Sequence, residues 1–133
     1  MRRRAGVIII DDSKVLLLYR RSDHWGSLAE YYVVPGGGVE AGETDEQAAI
    51  RELKEEAGLN IELNQKILEF ENKNQMEIFF TCKSYTGVIE MNAEERSKIS
   101  ENNYTELRWI DLNEISSLPL VPQQIKDWII DIY

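Results

Sequence analysis

The sequence predicts an α/β layered domain. Three observations carry that reading. Short apolar runs separated by turn-forming residues recur along the chain, two stretches show helical periodicity, and 133 residues suit one domain with one core, spanning residues 1–133.

The elements follow in order. "AGVIII" and "KVLLLYR" are strand-like, and the polar "DDSK" between them predicts a turn joining a strand pair. "YYVVPGGG" is a further strand, stopped by Pro35 and the glycines. "TDEQAAIRELKEEAGL" is the best helix in the chain. Thr44 is a good N-cap, Gln47 completes a capping box, Glu46 puts negative charge in the first turn, and Gly58 suits the C′ position. "NIELNQKILEFE" and "MEIFFTCKSYTGVIE" read as strands joined by a hairpin turn in "NKNQ". "NAEERSKISENN" reads as a loop, "TELRWIDL" as a late strand and "NEISS" as a short helix or turn. In "VPQQIKDWIIDIY", Pro122 suits a first helical position. Ile125, Trp128, Ile129 and Ile132 fall at i, i+3, i+4 and i+7, which predicts an amphipathic helix packed on the sheet.

Composition narrows the function. Lys and Arg number 15 against 24 Asp and Glu, a formal net charge of −9. A stable, sequence-independent grip on nucleic acid needs cations to neutralise phosphates, so it is not expected. A phosphate-bearing substrate is still compatible, because divalent cations reverse the charge of an acidic site. No apolar run approaches the roughly 20 residues that span a bilayer, and "MRRRAGVIIIDDS" lacks the longer apolar region of a signal peptide. The expectation is a cytoplasmic protein with no membrane partner, monomeric or homodimeric. The single cysteine, Cys82, excludes an intramolecular disulfide or a multi-cysteine zinc site, and its strand-like setting predicts an inert thiol. His24, the only histidine, reads as an exposed loop residue.

The helix poses one problem. With Glu52 at zero on a helical wheel, Glu56 lies at about +40° and Glu55 at about −60°. Ile50, Leu53 and Ala57 form the core-facing stripe at about 100° to 160°, with Ala49 at its edge and Ala48 on the acidic face. Like charges at these spacings repel by only about 0.2–0.5 kcal/mol per pair, so a solvated acidic face is one reading. The other is a cation site, since hard divalent ions prefer oxygen ligands and three carboxylates on a rigid face supply them. The preceding "VVPGGGVEAGET" joins strand to helix through glycines, which let backbone approach a ligand closely.

Residues 37–59 resemble the Nudix box, the signature of the Nudix hydrolases. Gly37 opens it, Glu43 follows after five residues, and Arg51-Glu52 after seven more; Leu53, Glu55, Glu56, Gly58 and Leu59 complete it. Every fixed position matches. The resemblance implies a Nudix-type α/β/α sandwich around a mixed β-sheet. It also implies hydrolysis of a nucleoside diphosphate linked to a further group X, with magnesium or manganese. Residue by residue, Glu52, Glu55 and Glu56 match the family's metal ligands, the Gly36 carbonyl matches a further ligand, and Arg51 and Glu43 match an orienting pair. The general base varies in the family; the candidates here are Glu52 or Glu55 in the box, and Glu94, Glu95 or Glu101 in the later loop.

The substrate-reading candidates are Arg3, Arg4, Arg20 and Arg21, whose guanidinium groups suit phosphate. Trp25 or Tyr31 could stack on a base, and Gln123 could bond a base edge. The proline that marks many ADP-ribose hydrolases and the tyrosine of dinucleoside polyphosphate hydrolases are both missing downstream of the box. That leaves nucleoside triphosphates ahead of ADP-ribose, nucleotide sugars and dinucleotides. Two other readings stay open: a catalytically silent nucleotide-binding Nudix module, and isoprenoid isomerisation on the same fold, for which His24 and Cys82 give little support.

Overall fold

The computed structural model describes residues 1–24, 27–89 and 103–133. In chain order the elements are β1 (Arg2–Ile8), β2 (Ile10–Asp11), β3 (Lys14–His24), β4 (Ser27–Val33), β5 (Gly36–Gly38), α1 (Asp45–Ala57), β6 (Asn60–Asn72), β7 (Gln75–Thr86), β8 (Asn103–Asp111), a 3₁₀ helix (Leu112–Ser117) and α2 (Gln123–Ile132). They fall into two compact units. Among the described residues no helix is long and apolar enough to cross a membrane.

The first unit holds β1, β5, α1, β6 and β7. Its sheet runs in the order β5-β1-β7-β6. β1 and β7 are parallel and the other pairs antiparallel, so the sheet is mixed, as expected. The β6–β7 hairpin turns at Lys73 and Asn74, with φ of 50° and 64°. Two successive positive φ values give the turn whose twist matches that of the strands. Ala5, Val7, Ile78 and Phe79 of the sheet and Ala49, Leu53 and Ala57 of α1 are fully buried.

The glycines after Pro35 do not end the sheet. Gly36–Gly38 form a strand of their own, with Gly36 opposite Gly6 and Gly38 opposite Arg4. Glycine is a poor strand former, but the fit here leaves no room for a side chain. A Cβ on Gly36 would strike the Ala5 carbonyl, and one on Gly6 would come within 2.8 Å of the Phe79 ring.

α1 begins and ends as its sequence predicts. The Thr44 hydroxyl accepts from the Gln47 N–H at 3.1 Å and the Gln47 side chain accepts from the Thr44 N–H at 2.9 Å, closing the capping box. Gly58 adopts a left-handed φ of 72° and donates to Lys54 O. The buried face differs from the expected stripe. Ile50 is 42% exposed, whereas Ala48, Ala49 and Glu56 are buried. The arc turned inward is centred nearer Glu56, so acidic face and core face overlap.

The second unit holds β2, β3, β4, β8, the 3₁₀ helix and α2. The run "AGVIII" does not pair with "KVLLLYR" as a whole. Only Ile10 and Asp11 do, through a turn at Asp12 and Ser13 with φ of 52° and 60°. β3 also pairs antiparallel with β4 and with β8. One face carries Tyr19 against Tyr32 and Tyr104, at ring-centroid distances of 5.4 and 6.1 Å. Arg108 lies 4.0 Å over the Tyr19 ring and donates to the Tyr32 hydroxyl and to Glu106. Pro122 is the N-cap of α2, one residue before its expected place. Ile125 and Ile129 are buried, but Ile132 is 57% exposed, so the apolar stripe ends a turn early. Lys126 donates to Leu118 O at 2.8 Å, tying α2 to the segment before it.

Candidate functional site

The Nudix-box side chains meet on the first unit around Arg51. Thr44 and Gly58 fix the helix ends, and the helix projects Arg51, Glu52 and Glu55 towards the loop that follows β5. Arg51 grips Glu43 with two parallel bonds, Nε to Oε2 at 2.7 Å and Nη2 to Oε1 at 3.0 Å. Its Nη2 also reaches the Gly38 carbonyl at 2.9 Å. Nη1 donates to Glu52 at 2.9 Å and to Glu55 at 3.1 Å. One guanidinium therefore ties loop, edge strand and helix together, which its planar fork suits. Glu43 also accepts from the Glu40 N–H at 3.0 Å, closing the loop on itself.

The electrostatics follow. The Arg51 guanidinium, then the Glu40 N–H, hold the Glu43 carboxyl down at about 2. Burial pushes Glu52 above the ordinary carboxylate range, against the opposing pull of Arg51. The Arg51 guanidinium is raised, chiefly by Glu43. Glu52 stands directly on β5: a Cβ on Gly37 would strike its carboxylate. Glu56 is 6% exposed and accepts from the Gly36 N–H at 3.0 Å. Glycine at 36 and 37 thus brings backbone up against two of the expected ligands.

The donor chemistry fits a hard divalent cation, since Glu52, Glu55 and Glu56 supply carboxylate oxygens and such ions complete their shells with water and phosphate. Among the described residues no three acidic, histidine or cysteine side chains already converge on one point. Arg51 holds Glu52 and Glu55, and Gly36 holds Glu56. Gathering the three around an ion would require rotamer changes in flexible glutamates.

The other candidates are dispersed. Arg3 is engaged by Asp45 through two bonds of 3.0 and 2.7 Å, which pins β1 to the start of α1. Arg4 lies 3.8 Å from the buried Glu77. On the second unit, the Arg20 Nε is buried and has no hydrogen-bond partner among the described residues. Arg21 lies over the Tyr104 ring at 5.2 Å, Tyr31 stands opposite Arg20, and Gln123 is occupied by Asp127 at 2.9 Å. Trp25, Glu94, Glu95, Glu101 and the side chain of His24 lie outside the described residues, as does "NAEERSKISENN" except its last residue. Cys82 donates to Ser84 O, and burial raises its thiol, in keeping with an inert role. Sequence reasoning missed Gly38, Glu40 and Glu77: a carbonyl carries no side-chain signal, and Glu77 has its partner Arg4 on a neighbouring strand that is far away in sequence.

Comparison with known proteins agrees with this geometry. A family model described as the NUDIX domain matches residues 1–131. The chain is 31% identical over 132 residues to the uncharacterized Nudix hydrolase YvcI of Bacillus subtilis, covering 92% of this chain and 73% of that protein. It is 31% identical over 118 residues to a putative 8-oxo-dGTP diphosphatase 3 of Mycobacterium tuberculosis, covering 89% of this chain but only 54% of that protein. A solved MutT structure, from work on the Aliivibrio salmonicida and Vibrio cholerae proteins, superposes with a TM-score of 0.75 at 23% identity, covering 99% of this chain and 98% of that one. The mixed α/β architecture is that of these structures, and the chain belongs to the Nudix hydrolase family.

Proposed function

We propose that residues 1–133 form a single Nudix domain, a cytoplasmic, metal-dependent pyrophosphohydrolase that cleaves the diphosphate linkage of a small nucleoside diphosphate-X substrate. Nucleoside triphosphates lead as the substrate class, in keeping with the name of the mycobacterial relative. The observation that carries the reading is the Arg51 network, which sets the box carboxylates of α1 against the glycine strand.

Glu52, Glu55 and Glu56, with the Gly36 carbonyl, are the proposed holders of magnesium or manganese. When bound, such an ion neutralises phosphate oxygens and lowers the pKa of water. Glu52 or Glu55 positions the attacking water and takes its proton. Arg51 and Glu43 hold loop and helix in register, so that the carboxylates meet the substrate in one geometry.

The test is a panel of nucleoside triphosphates, ADP-ribose, nucleotide sugars, dinucleotides and 5′-triphosphate RNA, assayed with magnesium and with manganese. Metal-dependent cleavage of a phosphoanhydride, lost in Glu55→Gln, is the expected result. Tight binding without turnover across the panel would favour the silent module instead.

A further inference from the structure

Glu77 is an unusual residue for its place. It sits in β7 at 4% exposure, followed by Ile78, Phe79 and Phe80, none more than 3% exposed. A buried carboxylate is costly unless it is paired and hydrogen-bonded. Glu77 has both kinds of support: Oε2 accepts from the Asn72 amide at 2.6 Å, and Oε1 faces the Arg4 guanidinium at 3.8 Å. These partners come from the strands on either side, β6 and β1, and Arg4 stands directly opposite Glu77 in the parallel register. Replacing a buried ion pair with apolar residues is often neutral or stabilising, so sheet stability alone gives little reason to keep this one. What the group does is hold Arg4.

Arg4 occupies a telling position. Its side chain keeps 20% exposure, and its other register neighbour is Gly38 of β5. Strand alternation puts Arg2 on the same face. Arg2 is exposed, and its Nη2 lies 3.3 Å from where a Cβ on Gly38 would stand. Arg3 points to the opposite face, where it bonds Asp45 of α1. The side-chain-free backbone of β5 lies between Arg2, which approaches Gly38 on this face, and Glu52, which rests on Gly37 from the α1 side. β5 is also the edge strand of its sheet, and the groups that β1 leaves unpaired are taken up by α1: the Gly36 N–H by Glu56 and the Gly38 carbonyl by Arg51.

We infer that Arg4, held by Glu77 and Asn72, contacts an anionic group of the substrate beyond the scissile linkage, with Arg2 as an outer contact and Glu77 as a positioning residue. The substrate class this favours is one with a third phosphate, rather than one whose X group is a neutral sugar. The inference rests on the proposed hydrolase reading. A guanidinium fork suits a phosphate, and its orientation by Glu77 reduces the freedom lost on binding.

The experiment measures kcat and KM with magnesium for a nucleoside triphosphate and for ADP-ribose. It compares wild type, Arg4→Gln, Arg4→Lys, Glu77→Gln and the Arg4→Gln/Glu77→Gln double variant. Arg4→Gln is expected to raise the triphosphate KM about tenfold, with kcat and the ADP-ribose constants within about twofold. Arg4→Lys should recover part of the loss. Glu77→Gln should give a share of the same KM shift in wild type and add nothing in the Arg4→Gln background. An unchanged triphosphate KM in Arg4→Gln overturns the subsite, and equal effects of Glu77→Gln in both backgrounds overturn its positioning role. Should Glu77→Gln fail to fold, Asn72→Ala takes its place in the cycle. Binding of inorganic tripolyphosphate with magnesium, read by calorimetry, separates the two levels. If wild type cleaves no member of the nucleotide panel the hydrolase reading fails, yet tripolyphosphate binding weakened by Arg4→Gln still supports the subsite and unchanged binding overturns it.

Discussion

Replacing Gly37 with alanine should separate activity from stability. Gly37 is not among the glycines with a left-handed backbone, so alanine meets no φ penalty there. The added Cβ would instead run into the Glu52 carboxylate, with both oxygens at 2.5 Å. That obstacle is the far end of a flexible side chain, so Glu52 should swing away while β5 stays in place. Swinging away breaks the Arg51–Glu52 bond of 2.9 Å. A hydrogen bond to a charged group contributes about 1.5–3 kcal/mol at best. Here Arg51 keeps Glu43, Glu55 and the Gly38 carbonyl, and the displaced Glu52 gains solvent, so about 1 kcal/mol is the larger estimate. For a chain of this length that is a Tm drop of about 3–4 °C. A catalytic group displaced by about 1 Å costs on the order of a hundredfold in rate. Scanning calorimetry and metal-dependent hydrolysis of the best substrate supply the two readings. Full activity would refute the role of Glu52, and a Tm fall beyond about 10 °C would show that the backbone, not Glu52, bears the clash.

Three further outcomes are expected. Arg51→Lys loses the two-bond grip on Glu43 and cannot span Gly38, Glu52 and Glu55 together; kcat should fall at least about tenfold and stability by roughly 2 kcal/mol, read by urea unfolding. Glu43 is held at about 2 against an ordinary 4.5, so it is depressed in the folded state. Its stabilising share is complete above about 4.5 and is lost as pH falls towards about 2. Wild type should therefore lose Tm more steeply than Glu43→Gln across that window, whereas parallel curves would mean that the Arg51 pairing is not formed in solution. Gly58→Ala forces a side chain into the φ of 72° that closes α1, costing about 1 kcal/mol by thermal unfolding, with substrate KM unchanged.

What was legible in the sequence was local. Thr44, Gln47 and Gly58 declare the ends of α1 because each acts on backbone within a turn or two of itself, and the structure bears all three out. The pairing of Arg51 with Glu43 was equally readable from the motif. The β6–β7 hairpin was too, since "NKNQ" offers polar residues for a tight turn. Non-local fit was not. The glycines after Pro35 looked like a stop because their strand character comes entirely from β1. Glu56 looked solvent-facing on the wheel, yet the Gly36 N–H, 20 residues away, draws it inside. Ile50 looked like core but lies at the margin of an inward arc that only the packed sheet defines. The partnership of Arg4 with Glu77 spans 73 positions and leaves no periodic trace.

Titration with manganese, followed through the electron paramagnetic resonance signal of the free ion, tests whether the acidic face of α1 is a cation site. Glu56→Gln is the sharpest comparison, because its amide oxygen still accepts from the Gly36 N–H and so removes charge without removing the hydrogen bond. Wild type should bind manganese at least about tenfold more tightly than Glu56→Gln, with a matching loss of metal-dependent hydrolysis. Equal manganese affinity in the two proteins would contradict the assignment and leave residues 51–59 as an ordinary charged helix.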